Sequence, residues 1–364
     1  MIHRPPVALL ALLLVSLVSC ALAGEIQITA DPAAQTSPSI WGDRIVWTDA
    51  RNGNLDIYLY DAVTGNTTRI TKGPRDRKSP VIWDNLIAAT DLSQGSPDIY
   101  VYNLVTHTGR LIVTGTNNQK VPRASGSLVV WETIRDGQGD IVVFNSTDAR
   151  EIRLPPGTGS RRSPSIWGDR IVWADTGTGT SRIHFYDFTT RTETLLTKDS
   201  SSQFNPWIYE NLVVWQDKRN GNDEIYLIDT STGTEKQITT SPGDHRNPRV
   251  WGDRIVWEDY RNGNADIYLY TISTGKEMAL TTGPADHRNP AIWGDRVVWE
   301  DYRNGNADIY LYDLASTPAS GQGPGEAGTA ATARPTPVSL PALLPVLAVV
   351  LSAIAAGWRH LTQG

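Results

Sequence analysis

Hydrophobic residues along this chain fall in short β-branched and aromatic runs separated by turn residues, and no ten-residue stripe of helical period interrupts them. Strands are therefore the predicted elements. In Asp266-Ile267-Tyr268-Leu269-Tyr270 the alternation puts Ile and Leu on one face and Tyr on the other, so neither face is polar. Such a strand predicts a sheet held between two neighbours. An earlier strand ends at Val256-Trp257, and the intervening segment from Asp259 to Asp266 carries Asn262-Gly263, which supplies the φ > 0 geometry of a tight hairpin. A third strand is predicted around Pro248-Arg249-Val250-Trp251, and a fourth over residues 235–240.

The pattern recurs seven times. Pro38, Pro80, Pro122, Pro164, Pro206, Pro248 and Pro290 stand 42 residues apart with no insertion or deletion. Three positions after the proline lies Trp41, Trp83, Trp167, Trp251 or Trp293, and nine positions after it lies Trp47, Trp131, Trp173, Trp215, Trp257 or Trp299. Four short strands per 42-residue unit describe a propeller blade, so the expected fold class is all-β, a seven-bladed β-propeller of four-stranded blades. The ends of the repeat region predict closure. Glu235 lies thirteen residues before Pro248 and Glu25 thirteen before Pro38, whereas the seventh unit runs out after Leu314 without a fourth strand. Residues 25–30 are expected to supply that strand, pairing near Ile309 to Tyr312 and removing the open sheet edge.

Composition adds a compartment. Thirteen Trp and thirteen Tyr against four Phe suit blade packing with polar tips at the surface. A net charge of −6 gives no basis for general nucleic-acid binding. Residues 1–24 read as a signal peptide, with Arg4 at its start, an apolar run from Val7 to Val18, and Ala21-Leu22-Ala23 before the cleavage point. A competing reading takes Leu17-Val18-Ser19-Cys20 as a lipoprotein box with Cys20 acylated. Cys20 is the sole cysteine, so the propeller at 25–318 has no thiol or disulfide chemistry. Residues 319–337 form a Pro/Gly/Ala/Thr-rich spacer. Residues 338–358 are apolar enough for a transmembrane helix, or for a sorting signal removed in processing, and 359–364 form a short basic tail expected in the cytoplasm. The expected location is the cell surface, with the propeller outside and anchored to the membrane.

The repeat Pro-x-Ile-Trp-Gly-Asp-Arg-Ile-Val-Trp, followed by Asp-x-Arg-Asn-Gly-Asn-x-Asp-Ile-Tyr-Leu-Tyr-Asp and Ile-Thr, resembles the TolB-like propeller repeats of cell-surface proteins of methanogenic archaea. It covers residues 25 to about 316. The resemblance implies a surface or envelope protein. TolB-like propellers commonly have six blades, so the seven prolines depart from that pattern.

Candidate chemistry is expected on one face of the ring. The Asp-x-Arg-Asn-Gly-Asn hairpins, with Arg51, Arg219, Arg261 and Arg303, should lie beside the inter-blade loops that carry His245, Arg246, His287 and Arg288. Such a face suits a glycan, an acidic polymer or an envelope protein held by bidentate arginine contacts. The competing reading of Asp49, Asp91, Asp175, Asp217, Asp259 and Asp301 is that each caps its own turn. No cofactor is expected; Asp259, Asn262, Asn264 and Asp266 offer oxygens at short spacing, but the spacing departs from the twelve-residue calcium loop. No catalytic motif is present, and the expected function is a binding or scaffolding module. The alternatives are a polysaccharide-acting enzyme using His245 and His287 near the channel, or a structural envelope component. The repeat breaks at Ser125, at Gly177-Thr178-Gly179-Thr180, at Arg161-Arg162 and at His184, through drift or ligand recognition. Asn66 and Asn145 head Asn-x-Thr/Ser sequons and are candidate glycosylation sites.

Overall fold

A computed structural model describes residues 24–316, apart from 93, 94, 114, 115, 156, 158 and 178. The signal segment with Cys20, the spacer, the apolar C-terminal segment and the tail lie outside the described residues. Among the described residues no helix is long and apolar enough to cross a membrane.

Among the described residues seven four-stranded antiparallel sheets form the seven blades. Blade six is typical, with strands His245–Trp251, Arg254–Asp259, Asp266–Thr271 and Lys276–Ala279, running from the innermost outward. Its second strand extends two residues past the predicted end at Trp257, because Asp259 pairs across the hairpin with Asp266. Alternation works as the pattern required. Ile267 and Leu269 pack with Ile292, Val297 and Trp299 of the next blade, while Trp257 and Tyr270 pack with Val214, Ile225 and Leu227 of the previous one. Trp47, Trp131, Trp173, Trp215, Trp257 and Trp299 are fully buried in these interfaces.

The proline ladder marks a β-bulge in every innermost strand. Each pairing register slips across the proline, as between Arg246 and Arg249, and the residue before each proline has a left-handed backbone, from φ 47° at Asn205 to φ 56° at Ser37. Proline costs no ladder bond there, since the bulge leaves its nitrogen unpaired. The bulge also joins the blades. The free N–H of Ser37 donates to Glu300 Oε1 at 2.6 Å, that of Asn289 to Glu258 Oε1 at 2.7 Å, and that of Asn247 to Gln216 Oε1 at 3.0 Å.

The position three residues after the proline, tryptophan in five units and Tyr209 in another, has a different role. Trp41, Trp83, Trp167, Tyr209, Trp251 and Trp293 converge on the ring axis, with successive centroids 3.5 to 5.0 Å apart, and plug one end of the channel. Blade three contributes Ser125, whose Oγ accepts the Gly168 N–H at 2.8 Å, while Trp83 and Trp167 meet past it at 5.0 Å. Six rings already close the axis.

The seam lies where the phase of Glu25 placed it. Glu25, Ile26 and Gln27 pair with Tyr312, Leu311 and Tyr310, giving the last blade its outer strand from the chain start. Beyond them the Ile309 N–H donates to Thr29 Oγ at 2.8 Å, the bond that Thr239 and Thr281 accept in other blades.

Candidate functional site

Each hairpin arginine is committed to its own blade. Arg51, Arg261 and Arg303 grip Asp49, Asp259 and Asp301 through paired Nε and Nη2 bonds of 2.5 to 2.8 Å, and Arg219 Nη2 reaches Asp217 at 2.6 Å. The same aspartates are buried and accept the arginine backbone N–H, so each also caps its turn. They accept the indole N–H of the buried tryptophan as well, at 2.8 Å for Trp47 and 3.0 Å for Trp257. Each guanidinium stacks on a tyrosine ring, 4.0 to 4.7 Å from Tyr58, Tyr226, Tyr268 and Tyr310. A second acid completes three of the four groups: Glu235 on Arg219, Glu277 on Arg261 and Glu25 on Arg303. The shared phase of Glu25 and Glu235 in the sequence is thus a shared ion pair.

Arg246 and Arg288 lie on the same face, paired with Asp244 at 2.5 Å and Asp286 at 2.7 Å. The two histidines do not face the channel together; each is buried in its own seam between blades. His245 sits between Glu224 of blade five, 3.2 Å away, and Asp259 of blade six, 3.3 Å away. His287 sits between Asp266 at 3.1 Å and Asp301 at 3.3 Å. Burial opposes the charge on both imidazoles, but the flanking carboxylates outweigh it and raise their pKa. Burial likewise opposes the charge of Asp259 and Asp301, yet bonds from the histidine, the arginine and the indole hold both well below the usual carboxylate range. Gln35, Arg77, Gln119, Arg161 and Gln203 fill the same slot in the other blades. Arg161 is buried there within 3.4 Å of both Asp175 and Glu193, and His184 also contacts Glu193, at 2.8 Å.

The calcium candidates have partners of this kind. Asp259 is held as above, Asp266 accepts from His287, and Asn264 donates to the Ala285 carbonyl at 2.8 Å. Among the described residues no group of three or more His, Cys, Asp or Glu side chains is arranged to hold a metal ion. Asn66 opens the strand Asn66–Arg69 and is exposed; Asn145 is half-buried, with its Oδ1 accepting the Thr147 N–H at 2.9 Å.

The channel holds two arginines of another kind. One position after the proline, the column reads Ser39, Val81, Arg123, Ser165, Trp207, Arg249 and Ala291. These residues line the channel between the aromatic plug and the mouth. The mouth opens on the hairpin face, because each innermost strand starts from a loop bonded to the preceding hairpin, as Asp244 Oδ1 is to the Asp223 N–H at 3.0 Å. Ser37, Ser79, Val121, Arg123, Trp207 and Arg249 are among the walls of a mouth cavity of about 180 Å³. The guanidinium carbons of Arg249 and Arg123 lie 4.4 and 5.2 Å from the Trp207 ring centroid. Each spends one Nη1 bond on the carbonyl of its own proline, Pro122 at 3.0 Å and Pro248 at 2.8 Å, and the Arg123 Nε is buried with no partner. Among the described residues no carboxylate lies within ion-pair distance of either, and burial pulls their pKa down, Arg123 to about 9 and Arg249 to about 10. Stacking occupies the flat face of a guanidinium and leaves its edge donors free for an anion.

Sequence reasoning passed over this pair because arginine stands at that position in only two of the seven units. The available signal was that very column, the one beside the proline whose residue type changes from blade to blade while its neighbours hold.

No protein-family model matches the chain and no curated relative does. Solved structures do. The oligogalacturonate lyase of Vibrio parahaemolyticus is similar over 82% of this chain and 94% of its own length, with a TM-score of 0.63 and 12% identity. The β-propeller domain of the Trilobed protease from Pyrococcus furiosus covers 77% of this chain and 95% of its own length at TM-score 0.61 and 14% identity, and TolB from Acinetobacter baumannii 69% and 67% at 0.53 and 18%. At these identities the likeness is one of fold, and the chain has a TolB-like β-propeller fold.

Proposed function

We propose that this propeller is a non-enzymatic binding module whose ligand is an anion seated in the channel mouth between Arg123 and Arg249. One observation carries the reading: two stacked guanidiniums face the cavity with no carboxylate within ion-pair distance among the described residues, in a chain that pairs its hairpin arginines with buried aspartates. A cavity of about 180 Å³ is small beside the roughly 300–1,000 Å³ of sites for drug-sized ligands, which favours one sugar ring or a small organic acid. The apolar segments at 7–18 and 338–358 support display of the module at the cell surface on a membrane anchor, where a cell-envelope glycan or protein would present the charge.

The test is a titration of the full chain with glucuronate, using glucose as the uncharged control. Saturable binding of glucuronate alone, abolished in Arg123→Met/Arg249→Met while the melting temperature holds, is the expected result. Equal binding by the double variant, or no saturation by glucuronate, would defeat the reading. Depolymerisation of an acidic polysaccharide that disappears in His245→Gln would establish the enzymatic alternative in its place.

A further inference from the structure

Around the channel mouth, two positions before each proline, the column reads Thr36, Lys78, Lys120, Arg162, Phe204, Arg246 and Arg288. Five of seven are cationic in a chain whose net charge is −6, so the basic rim is a local feature and not a consequence of composition. The five divide by blade. Arg246 and Arg288, in blades six and seven, are tied to Asp244 and Asp286 and lie over Tyr260 and Tyr302. Lys78, Lys120 and Arg162, in the consecutive blades two, three and four, are exposed, and among the described residues none of them makes an ion pair. Arg162 donates only to Ser160 Oγ, at 3.2 Å. Glu132, opposite Lys120 in the pairing register, has its carboxylate on the Ser163 N–H of the next blade, at 3.2 Å. Arg123 lies inside the same sector, three residues after Lys120.

We infer that blades two to four carry an extended groove for an acidic polysaccharide, with one uronate seated at Arg123 and Arg249 and other carboxylates of the chain meeting the rim at Lys78, Lys120 and Arg162. This rests on the channel reading above and extends it from one charged ring to a chain. The repeat geometry supplies the logic: equivalent positions in neighbouring blades present cations at a regular interval, which suits a ligand whose own charges are regularly spaced. Aromatic surface at the same mouth, Trp207 in the wall and half-buried Phe204 on the rim, favours sugar rings over a flexible acidic peptide. Exposed lysines attract through solvent, so the gain from the arc is salt-sensitive, whereas the partly enclosed Arg123 site is less so.

The experiment measures affinity of the full chain for mono-, tri- and hexagalacturonate at low and moderate salt, in the wild type, in Lys78→Gln/Lys120→Gln/Arg162→Gln and in Arg123→Met/Arg249→Met. The inference expects hexagalacturonate to bind at least tenfold tighter than the monomer, with a steep salt dependence. In the triple variant both the length gain and most of the salt dependence should vanish while monomer binding and melting temperature stay unchanged. Hexamer and monomer binding equally well would overturn the groove and leave the channel site standing. Monomer binding that survives Arg123→Met/Arg249→Met would overturn the channel site itself. Oligoglutamate of matched charge binding as tightly as the hexamer would overturn the assignment to a polysaccharide.

Discussion

Arg261, on the hairpin of blade six, and Arg123, one residue past the proline of blade three, carry the same guanidinium under opposite conditions. Arg261 forms a two-pronged pair with buried Asp259, has Glu277 as a second acid, and stacks on Tyr268. Its counterparts Arg51, Arg219 and Arg303 repeat the arrangement. Arg123 stacks on Trp207, donates once to a backbone carbonyl and otherwise faces a cavity. In a repeat protein a cation found in several blades is shaped by what each blade needs, namely a filled turn and a closed seam. A cation found in only two of seven blades, at a column that varies, has no such duty. Conspicuous repetition therefore points toward architecture here, and the proposed binding chemistry lies at a column whose residue changes from blade to blade.

Four measurements would break or sharpen that contrast. The largest effect is expected on the repeated side. Deleting residues 25–29 removes the outer strand of blade seven, the Glu25 contact to Arg303 and the Thr29 acceptor for Ile309, and should lower Tm by more than about 10 °C, at about 2 °C per kcal/mol for a domain of this size. Tm within a few degrees of wild type would show that the ring does not depend on its seam.

Next, Asp259→Ala leaves Arg261, His245 and the Trp257 indole without their common acceptor and should cost about 3–5 kcal/mol in denaturant unfolding. A loss under about 1 kcal/mol would mean that the hairpin arginines are less committed than their geometry implies.

A smaller effect concerns pH. Because His245 and His287 have raised pKa values in the folded state, their contribution to stability is fully present below the ordinary histidine value of about 6.5 and is lost as pH rises through the folded values. His245→Gln/His287→Gln, which installs the residue that Gln35 and Gln203 supply in other blades, should flatten the stability profile on that alkaline side. An unchanged falling limb would assign it to other groups. At the acid end the sign reverses: Asp259 and Asp301, held low, lose their contribution as pH falls through their folded values.

The smallest stability effect is expected at the channel. Arg123→Met removes a charge that burial disfavours and that no carboxylate repays, so unfolding free energy should change by no more than about 0.5 kcal/mol or rise slightly. A loss of 2 kcal/mol or more would place Arg123 with Arg261 as an architectural residue.

Much of this fold was legible because a propeller writes its architecture into local pattern. Alternation in Asp266–Tyr270 fixed two covered faces, Asn262-Gly263 fixed a hairpin, and the 42-residue spacing fixed the number of blades. The phase of Glu25 even located the seam, since the glutamate that supports Arg219 in blade five has its counterpart on Arg303 at the junction of the chain's two ends. The aromatic three positions after the proline was less transparent. Spacing alone does not say whether an aromatic lies between blades or on the ring axis, and only closure of the ring brings Trp41 within 3.5 Å of Trp293, from opposite ends of the domain.

The candidate site was decided almost wholly in three dimensions. Composition and motif named eight charged loop residues, but whether a cation is free depends on what lies beside it, and burial, register and the neighbouring blade set that. His245 and His287 looked like a pair in sequence and are separated by the seams that hold them. Arg123 and Arg249 are 126 positions apart and meet over one indole, because strands at equal height in a closed ring face a common axis. Sequence periodicity determines which residues share a height on the ring; only the closed tertiary structure determines which of them meet, and which charges are left without a partner.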